Sequence, residues 1–200
     1  MEASIIPAIQ ELTRCYQALV PLFAPSLDSK NPPIILIQSR GKRNAYGWMA
    51  RENWKQEESS FNEITITAEY LARPTEEIME TLVHEMVHHA NALDGIDDCS
   101  RNQYHRESFR DRAESVGLVV EKEGRRGWSK TALSNELKER IQGLKVDAAA
   151  FKIFHREYEK RPVNRKPTKI WACECTVVRS ASVVEAVCSK CDKAFRESTK

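Results

Sequence analysis

The chain has 200 residues, of which 41% are hydrophobic and 30% are charged. These proportions are typical of a globular protein with room for one compact domain and a small additional module. The sequence has no apolar run of about eighteen residues or more, and its N-terminus lacks the basic start and apolar core of a secretory signal. We therefore expect a cytoplasmic protein that does not associate with a membrane.

The net charge of +2 hides a difference between two parts of the chain. Residues 1–120 carry 12 Lys and Arg against 18 Asp and Glu, a balance of −6, whereas residues 121–200 carry 19 against 11, a balance of +8. A basic part of this kind favours an anionic partner. The charge distribution therefore indicates that the C-terminal part could bind DNA.

The first predicted elements are a helix and a small sheet. Apolar residues recur at helical spacing over residues 5–23. The branched run 34–38 predicts a buried strand, the aromatic residues around Gly47 predict a second strand over 43–49, and the alternation in 63–67 predicts a third. An edge strand of such a sheet can hold an extended peptide by main-chain pairing.

The next helix carries the motif around which the chain is organised. A helix is predicted over residues 75–93, with Thr75 as its N-cap. At about 100° per residue, His84 and His88 lie within about 40° of each other, on the side away from the apolar arc, and can bind one metal ion. Glu85 lies beside them. This H-E-x-x-H pattern is the one in which imidazoles bind zinc and the carboxylate acts as general base.

A third ligand is expected from a second helix, predicted within residues 104–118 and stopped by Gly117. His105 would stand at the start of that helix and point inward, completing a three-histidine site whose fourth position is open to water. The competing third ligand is Glu114, further along the same helix. His89 falls inside the apolar arc of the preceding helix, so we expect it to be a buried histidine with a hydrogen-bond partner.

The rest of the first domain offers no further ligand. A helical pattern is predicted over residues 129–158, and nothing places His155 near the metal site. Cys15 is expected to be a core residue, and Cys99 is a loop thiol without an assigned role. Residues 161–170 are basic and contain prolines, which predicts a linker between a domain over 1–160 and a module over 171–200.

The module over 171–200 contains a second group of ligands. Cys173 and Cys175 form a C-x-C pair, and after twelve residues Cys188 and Cys191 form a C-x-x-C pair. Four thiolates on two short turns make a closed tetrahedral zinc site, and a module of about thirty residues cannot form a core without such a metal. Two disulfides are the alternative, which the absence of an export signal disfavours.

Taken together, these segments resemble the SprT-like zinc metallopeptidases, whose eukaryotic members include an enzyme that cuts proteins crosslinked to DNA. The resemblance covers most of residues 43–118 and 171–195. It implies an α+β fold, namely a zincin-like metallopeptidase domain of helices and a small mixed sheet, followed by a C-terminal zinc ribbon. Thr176 departs from the family pattern, in which many ribbons have glycine after the second cysteine.

The resemblance also implies roles for individual residues. Glu85 is the expected general base, one catalytic Zn²⁺ is bound by three histidines, and one structural Zn²⁺ is bound by four cysteines. The ligands are His84, His88 and His105 for the first ion and Cys173, Cys175, Cys188 and Cys191 for the second.

Two functions remain open from the sequence. The first is a zinc-dependent endopeptidase that acts on protein substrates on or crosslinked to DNA. The alternative is a nucleic-acid-binding regulatory protein whose zincin core has little or no activity. The carboxylate of Glu85 favours the first function, because a purely structural metal site gains nothing from a general base.

Overall fold

A computed structural model of the protein describes residues 3–28, 30–39, 45–155 and 167–198. The chain forms two compact units, Met1–Glu157 and Tyr158–Lys200. Helices and small sheets occur together, which confirms the predicted α+β fold class. None of the helices in the described part of the chain has the length and apolar character needed to span a bilayer. The predicted limits of 1–160, 161–170 and 171–200 stay predictions, since residues 156–166 lie outside the described ranges.

The first unit opens with helix α1, Ile6–Leu19, which continues into a 3-10 turn at Val20–Phe23. Its buried face includes Leu12, Cys15 and Leu19, all fully covered by the rest of the unit. The predicted helix over residues 5–23 and the core position of Cys15 are therefore confirmed. This helix packs against the helix that carries His84 and His88, and it therefore helps to hold that helix in position.

A sheet of three strands follows. Strands β1, Ile34–Gln38, β2, Gly47–Gln56, and β3, Ser59–Thr67, lie in the order β1-β3-β2. β1 runs parallel to β3, and β2 runs antiparallel to it. Among the described strands, β2 pairs with β3 alone, so its other side is an open edge of the sheet.

The predicted second strand, 43–49, has the wrong limits. Residues 40–44 lie outside the described ranges, and β2 extends seven residues beyond position 49, through the charged segment that follows. The extension forms because β2 and β3 make a hairpin that turns at Glu57, where φ is +53°. A bulge between Ala50 and Trp54 interrupts the alternation of side chains. The period-two pattern is lost there, so the sequence did not reveal the extension.

Helix α2, Thr75–Leu93, has the limits predicted from the sequence. Pro74 occupies the N-cap position, so the prediction that Thr75 is the N-cap is wrong by one residue. Glu76 and Glu77 lie in the first turn, where negative charge stabilises the positive end of the helix. The apolar arc is buried from Ile78 to Ala90, as expected for a helix that packs against a sheet.

The elements after α2 differ from the prediction. Helix α3, Glu107–Ser115, begins three residues later than predicted, because His105 belongs to an extended segment. It ends before Gly117, the predicted stop, whose φ of +96° turns the chain into a strand. Strands β4, Leu118–Glu123, and β5, Gly127–Leu133, form an antiparallel hairpin. Helix α4, Asn135–Gly143, and a 3-10 turn at Ala148–Phe151 complete the described part of this unit.

The predicted helix over 129–158 is therefore correct only over α4, because a strand precedes α4 and the described residues of this range after Gly143 form only the 3-10 turn at Ala148–Phe151. Residues 129–133 belong to β5, and α4 begins only after Ser134, whose hydroxyl accepts a hydrogen bond from the Leu137 backbone N–H. Leu133, at the end of the strand, and Leu137, in the helix, are both buried in the same core. Their spacing of four residues imitates one continuous helical face, although two elements supply it.

The second unit contains a small antiparallel sheet. Strands β6, Lys169–Ala172, β7, Val177–Ser180, and β8, Arg196–Ser198, lie in the order β7-β6-β8. The indole of Trp171 is 7% exposed and is the main apolar group of this unit. The two cysteine pairs lie in turns that follow β6 and precede β8.

Candidate active site

Helix α2 brings two of the predicted ligands together. His84 and His88 lie one turn apart, and their ring centroids are 5.1 Å from each other. Both point away from the apolar arc of the helix toward a cleft. Since α2 is fixed along its opposite face by the core, the positions of the two imidazoles follow from the packing of the helix.

The third imidazole comes from an extended segment rather than a helix. His105 precedes α3 and is hydrogen-bonded to the β4–β5 hairpin: its backbone N–H donates to the Arg126 carbonyl at 2.8 Å, and its carbonyl accepts from the Trp128 N–H at 3.1 Å. Gly127, between these partners, has φ of +69°, and a Cβ there would lie 2.2 Å from the His105 carbonyl oxygen. A glycine is therefore required at this contact.

The three imidazoles all pack against one aromatic ring. Phe109, on the buried face of α3, has its ring centroid 4.6 Å from that of His84 and 4.7 Å from those of His88 and His105. The side chain of Phe109 is fully buried. The rings are thus held in place by packing as well as by hydrogen bonds.

The geometry of the three rings fits a metal ion. The Nε2 atom of His105 lies 3.2 Å from that of His84 and 3.1 Å from that of His88. Two nitrogen ligands about 2.05 Å from a tetrahedral zinc ion are about 3.3 Å apart. Burial lowers the pKa of His84 well below its usual value and that of His105 to about 4. Both rings are therefore neutral at pH 7, as metal binding requires.

Two hydrogen-bond chains orient the rings of α2. The Nδ1 atom of His88 lies 2.8 Å from Asp98 Oδ2, which also accepts from the Asn91 amide at 2.8 Å. On the other side, His84 Nδ1 lies 3.3 Å from the Thr131 hydroxyl, which donates to Glu80 at 2.9 Å. When Nδ1–H donates in this way, the lone pair of Nε2 is directed at the metal position.

Asp98 also raises the proton affinity of the His88 ring. Burial acts to lower the pKa of His88, but the hydrogen bond and the negative charge of Asp98 outweigh burial, so the pKa is raised.

Four residues around the imidazoles were not predicted from the sequence, namely Asp98, Asn91, Thr131 and Glu80. A loop carboxylate close to the H-E-x-x-H segment is the only signal that could have suggested Asp98.

Glu85 lies next to the imidazoles in a buried position at the cleft. Its side chain is almost fully buried, and burial raises its pKa to about 7 although the nearby His88 opposes the shift. Gly47 of β2 packs against it, since a Cβ at Gly47 would lie 3.3 Å from Glu85 Cγ and 2.8 Å from the Thr65 carbonyl oxygen. A carboxylate with a pKa near neutrality can both accept and donate a proton.

The site lies in a cleft of about 980 Å³. One wall is the open edge strand β2, from Gly47 to Arg51, and the other includes Arg126 and Ser129–Thr131 of the hairpin. The three histidines and Glu85 line the cleft between these walls. A cleft with an unpaired strand edge along one wall can receive an extended chain.

The remaining predicted residues have the following places. Glu114, the competing ligand, is exposed on α3 and does not line the cleft.

His89 is 1% exposed and contacts the Asn62 amide at 3.0 Å and the Asn31 carbonyl at 3.2 Å, which confirms the expected buried histidine. His155 lies beside Glu69, outside the group of three histidines. Cys99 lines the cleft, and burial raises its pKa to about 11.

The four cysteines of the second unit form a separate cluster. Their Sγ atoms all lie within 4.8 Å of one another, with 3.5 Å between Cys175 and Cys188 and 3.8 Å between Cys173 and Cys175. Two thiolates on a tetrahedral zinc ion are about 3.8 Å apart. All six cysteines of the chain are free, so the disulfide alternative is not realised. Backbone N–H groups of Lys190 and Cys191 lower the pKa of Cys188 to about 6, which favours a thiolate.

These features define an α+β domain with a three-histidine site that could hold a metal ion, and a second unit whose four cysteines could hold another. The family model of the SprT-like family matches residues 24–131, which are 108 of the 200 residues. The protein therefore belongs to the SprT-like family, which is associated with metallopeptidase-like domains. Comparisons with curated proteins and with solved structures gave no match.

Proposed function

We propose that the protein is a zinc-dependent endopeptidase of the SprT-like type. The observation that carries this proposal is the convergence of three imidazole Nε2 atoms beside the carboxylate of Glu85, on a cleft with an open strand edge. In this proposal His84, His88 and His105 hold the catalytic zinc, and Cys173, Cys175, Cys188 and Cys191 hold a structural zinc. When bound, the catalytic ion supplies Lewis-acid chemistry that activates water and polarises the scissile carbonyl.

The protein's own residues position the substrate and move the proton. The free edge of β2 forms main-chain hydrogen bonds with the substrate and positions it beside the histidines. Glu85 takes a proton from the attacking water on its carboxylate and passes it to the leaving amine. Burial raises the pKa of Glu85 to about 7 in the metal-free protein, and the charge of a bound ion would lower that pKa and favour the carboxylate form that accepts the proton.

Glu85→Gln tests this function. We expect the variant to keep its fold and bind zinc, since no ligand is changed, but to lose activity by about 10²- to 10⁴-fold because the general base is gone. Cleavage of an unstructured protein, followed together with metal content, measures both properties. Glu114→Gln is the matched control, because Glu114 is an exposed carboxylate outside the cleft. A Glu85→Gln variant as active as the control would exclude the proposed mechanism.

We also propose that the substrates are proteins on or crosslinked to DNA, and that the basic C-terminal part binds the DNA. The support is the balance of +8 in residues 121–200, together with exposed basic residues of the second unit such as Arg179, Lys190 and Arg196. The charges of the predicted linker at 161–166 lie outside the described residues. Trp171 is buried and so does not offer a stacking surface for bases.

A regulatory protein that binds nucleic acid without proteolysis is the alternative. The raised pKa of Glu85 and the open cleft favour the peptidase, because neither is needed for a structural metal site. The Glu85→Gln experiment separates the two, since wild-type protein without measurable cleavage would leave the regulatory function.

A further inference from the structure

One large aromatic side chain stands exposed on the wall of the cleft. Tyr46, directly before β2, is 55% exposed. Of the large apolar side chains that are exposed in the described part of the chain, Tyr46 alone lines the cleft. An exposed aromatic ring does not gain the free energy that burial would give. An exposed ring in the wall of a cleft is therefore a candidate contact for a ligand.

The ring of Tyr46 is held rigidly from beneath. The guanidinium carbon of Arg73 lies 4.2 Å from its centroid, and the ring of Tyr70 meets it edge to face at 4.7 Å. Arg73 is itself fixed, because its side chain is 16% exposed and donates to the Thr81 hydroxyl and the Tyr70 carbonyl, both at 3.1 Å. A ring fixed in this way loses little further side-chain entropy when it packs against a ligand.

The main chain of Tyr46 is fixed close to the reacting groups. Its carbonyl accepts from the backbone N–H of Thr67 at 2.9 Å and from the Thr67 hydroxyl at 2.7 Å. The next residue, Gly47, packs against the stem of Glu85. Tyr46 is one residue away from this contact, and each residue of an extended peptide advances about 3.3 Å. We therefore expect a peptide paired with β2 to present to Tyr46 a side chain that lies within about three residues of the cleaved bond.

We propose that Tyr46, supported by Arg73 and Tyr70, forms a subsite for an aromatic or large aliphatic side chain of the substrate, within three residues of the cleaved bond. This inference rests on the proposed endopeptidase function and names the side chain that the cleft selects. Contact between aromatic rings contributes about 0.5 to 1.5 kcal/mol beyond the area that they bury, which is about 2- to 10-fold in binding.

The test compares peptides that differ only by Phe or Ala, with the exchange made at each of the three positions on both sides of the cleaved bond. We expect the wild-type protein to prefer Phe at one position by about 3- to 10-fold in kcat/KM. Tyr46→Ala should reduce this ratio to about one, whereas Tyr46→Phe should keep it because the ring remains. Phe154→Ala is the control, since Phe154 is 55% exposed but lies outside the cleft.

A second measurement keeps the subsite separate from catalysis. The same peptides are bound to the Glu85→Gln variant, with and without Tyr46→Ala, and the ratio of the two Kd values is determined. If no peptide is cleaved by the wild-type protein, the proposed function fails, but a preference for Phe in binding that Tyr46→Ala removes still supports the subsite. A Phe preference that is absent from both measurements, or unchanged by Tyr46→Ala, overturns the subsite.

Discussion

Asp98 illustrates how a single residue outside the motif controls the site. It is 3% exposed, and its carboxylate accepts hydrogen bonds from the His88 ring and the Asn91 amide. These bonds fix the direction of the His88 ring and the nitrogen that carries its proton. We therefore expect the affinity of the three-histidine site for metal to depend on a residue that is not itself a proposed ligand.

Asp98→Asn tests this dependence. An amide of the same size keeps the packing but removes the negative charge beside His88, so we expect the affinity of the three-histidine site for zinc to fall by about 10- to 100-fold. Competition with a chelator of known affinity measures the change.

Asp97→Asn is the control for this prediction, because Asp97 is the neighbouring residue, carries the same charge and is 64% exposed in its ion pair with Arg106. Equal affinities in the two variants would show that Asp98 does not orient the ligand.

Individual residues also show what the sequence could and could not supply. His84, Glu85 and His88 could be placed together because helical geometry fixes their relation within one element. Thr131 and Asp98 could not be found in this way. Their contacts with the histidines join positions 47 and 10 residues apart through the tertiary fold, and no local period records such distances.

The hairpin of β4 and β5 is the element on which the third histidine depends. Its sequence was interpreted in part as helix, since Leu133, Leu137 and Ile141 follow one another at intervals of four. The strand and α4 bury their leucines in the same core, so the pattern correctly identified core residues but assigned them to the wrong element. By contrast, α1, α2 and β1 were predicted with nearly the observed limits, because each has a uniform pattern and a clear start or stop.

Gly127→Ala tests the role of the hairpin. A methyl group there would lie 2.2 Å from the His105 carbonyl oxygen, at a φ of +69° that disfavours L side chains. We expect the free energy of unfolding to fall by about 1 to 3 kcal/mol, and zinc affinity of the three-histidine site to fall as His105 moves. Denaturant unfolding and metal titration measure the two effects.

Gly124→Ala provides the comparison within the same hairpin. Gly124 also has a positive φ, +37°, but a Cβ there would meet nothing within 4 Å. Gly124→Ala should therefore lose less stability than Gly127→Ala and keep the zinc affinity of the three-histidine site. If Gly127→Ala bound zinc as tightly as Gly124→Ala, the hairpin would not be what positions His105.

For the whole molecule, the division of charge gives a test of the proposed DNA binding. Arg179, Lys190 and Arg196 are exposed in the second unit, and replacing all three by Glu changes the local charge by six units. We expect DNA affinity to fall by at least about 10-fold at low salt, and the slope of log K against log salt to become shallower by about 0.7 to 0.9 for each phosphate that the protein no longer neutralises. Fluorescence anisotropy across a salt series with the full chain measures both.

A control with the same change of charge comes from the first unit. Lys30, Lys55 and Arg101 belong to the acidic stretch 1–120, are exposed and lie outside the cleft. Replacing these three by Glu should affect DNA binding much less. Equal reductions in the two triple variants would mean that only the net charge matters, and the second unit would then have no specific part in binding.

The open edge of β2 has a consequence for the protein in solution. An unpaired strand edge is also a template on which another copy of the chain can add a strand, which is a route to aggregation. Gly47–Arg51 and Asn53 of β2 line the cleft, whereas the rest of its second half is exposed, carries Glu52 and Lys55, and lies at or beyond the bulge. Charges and bulges of this kind discourage strand addition. The segment able to accept a partner strand is thereby restricted to the recessed part of the edge, where another folded molecule cannot easily reach it.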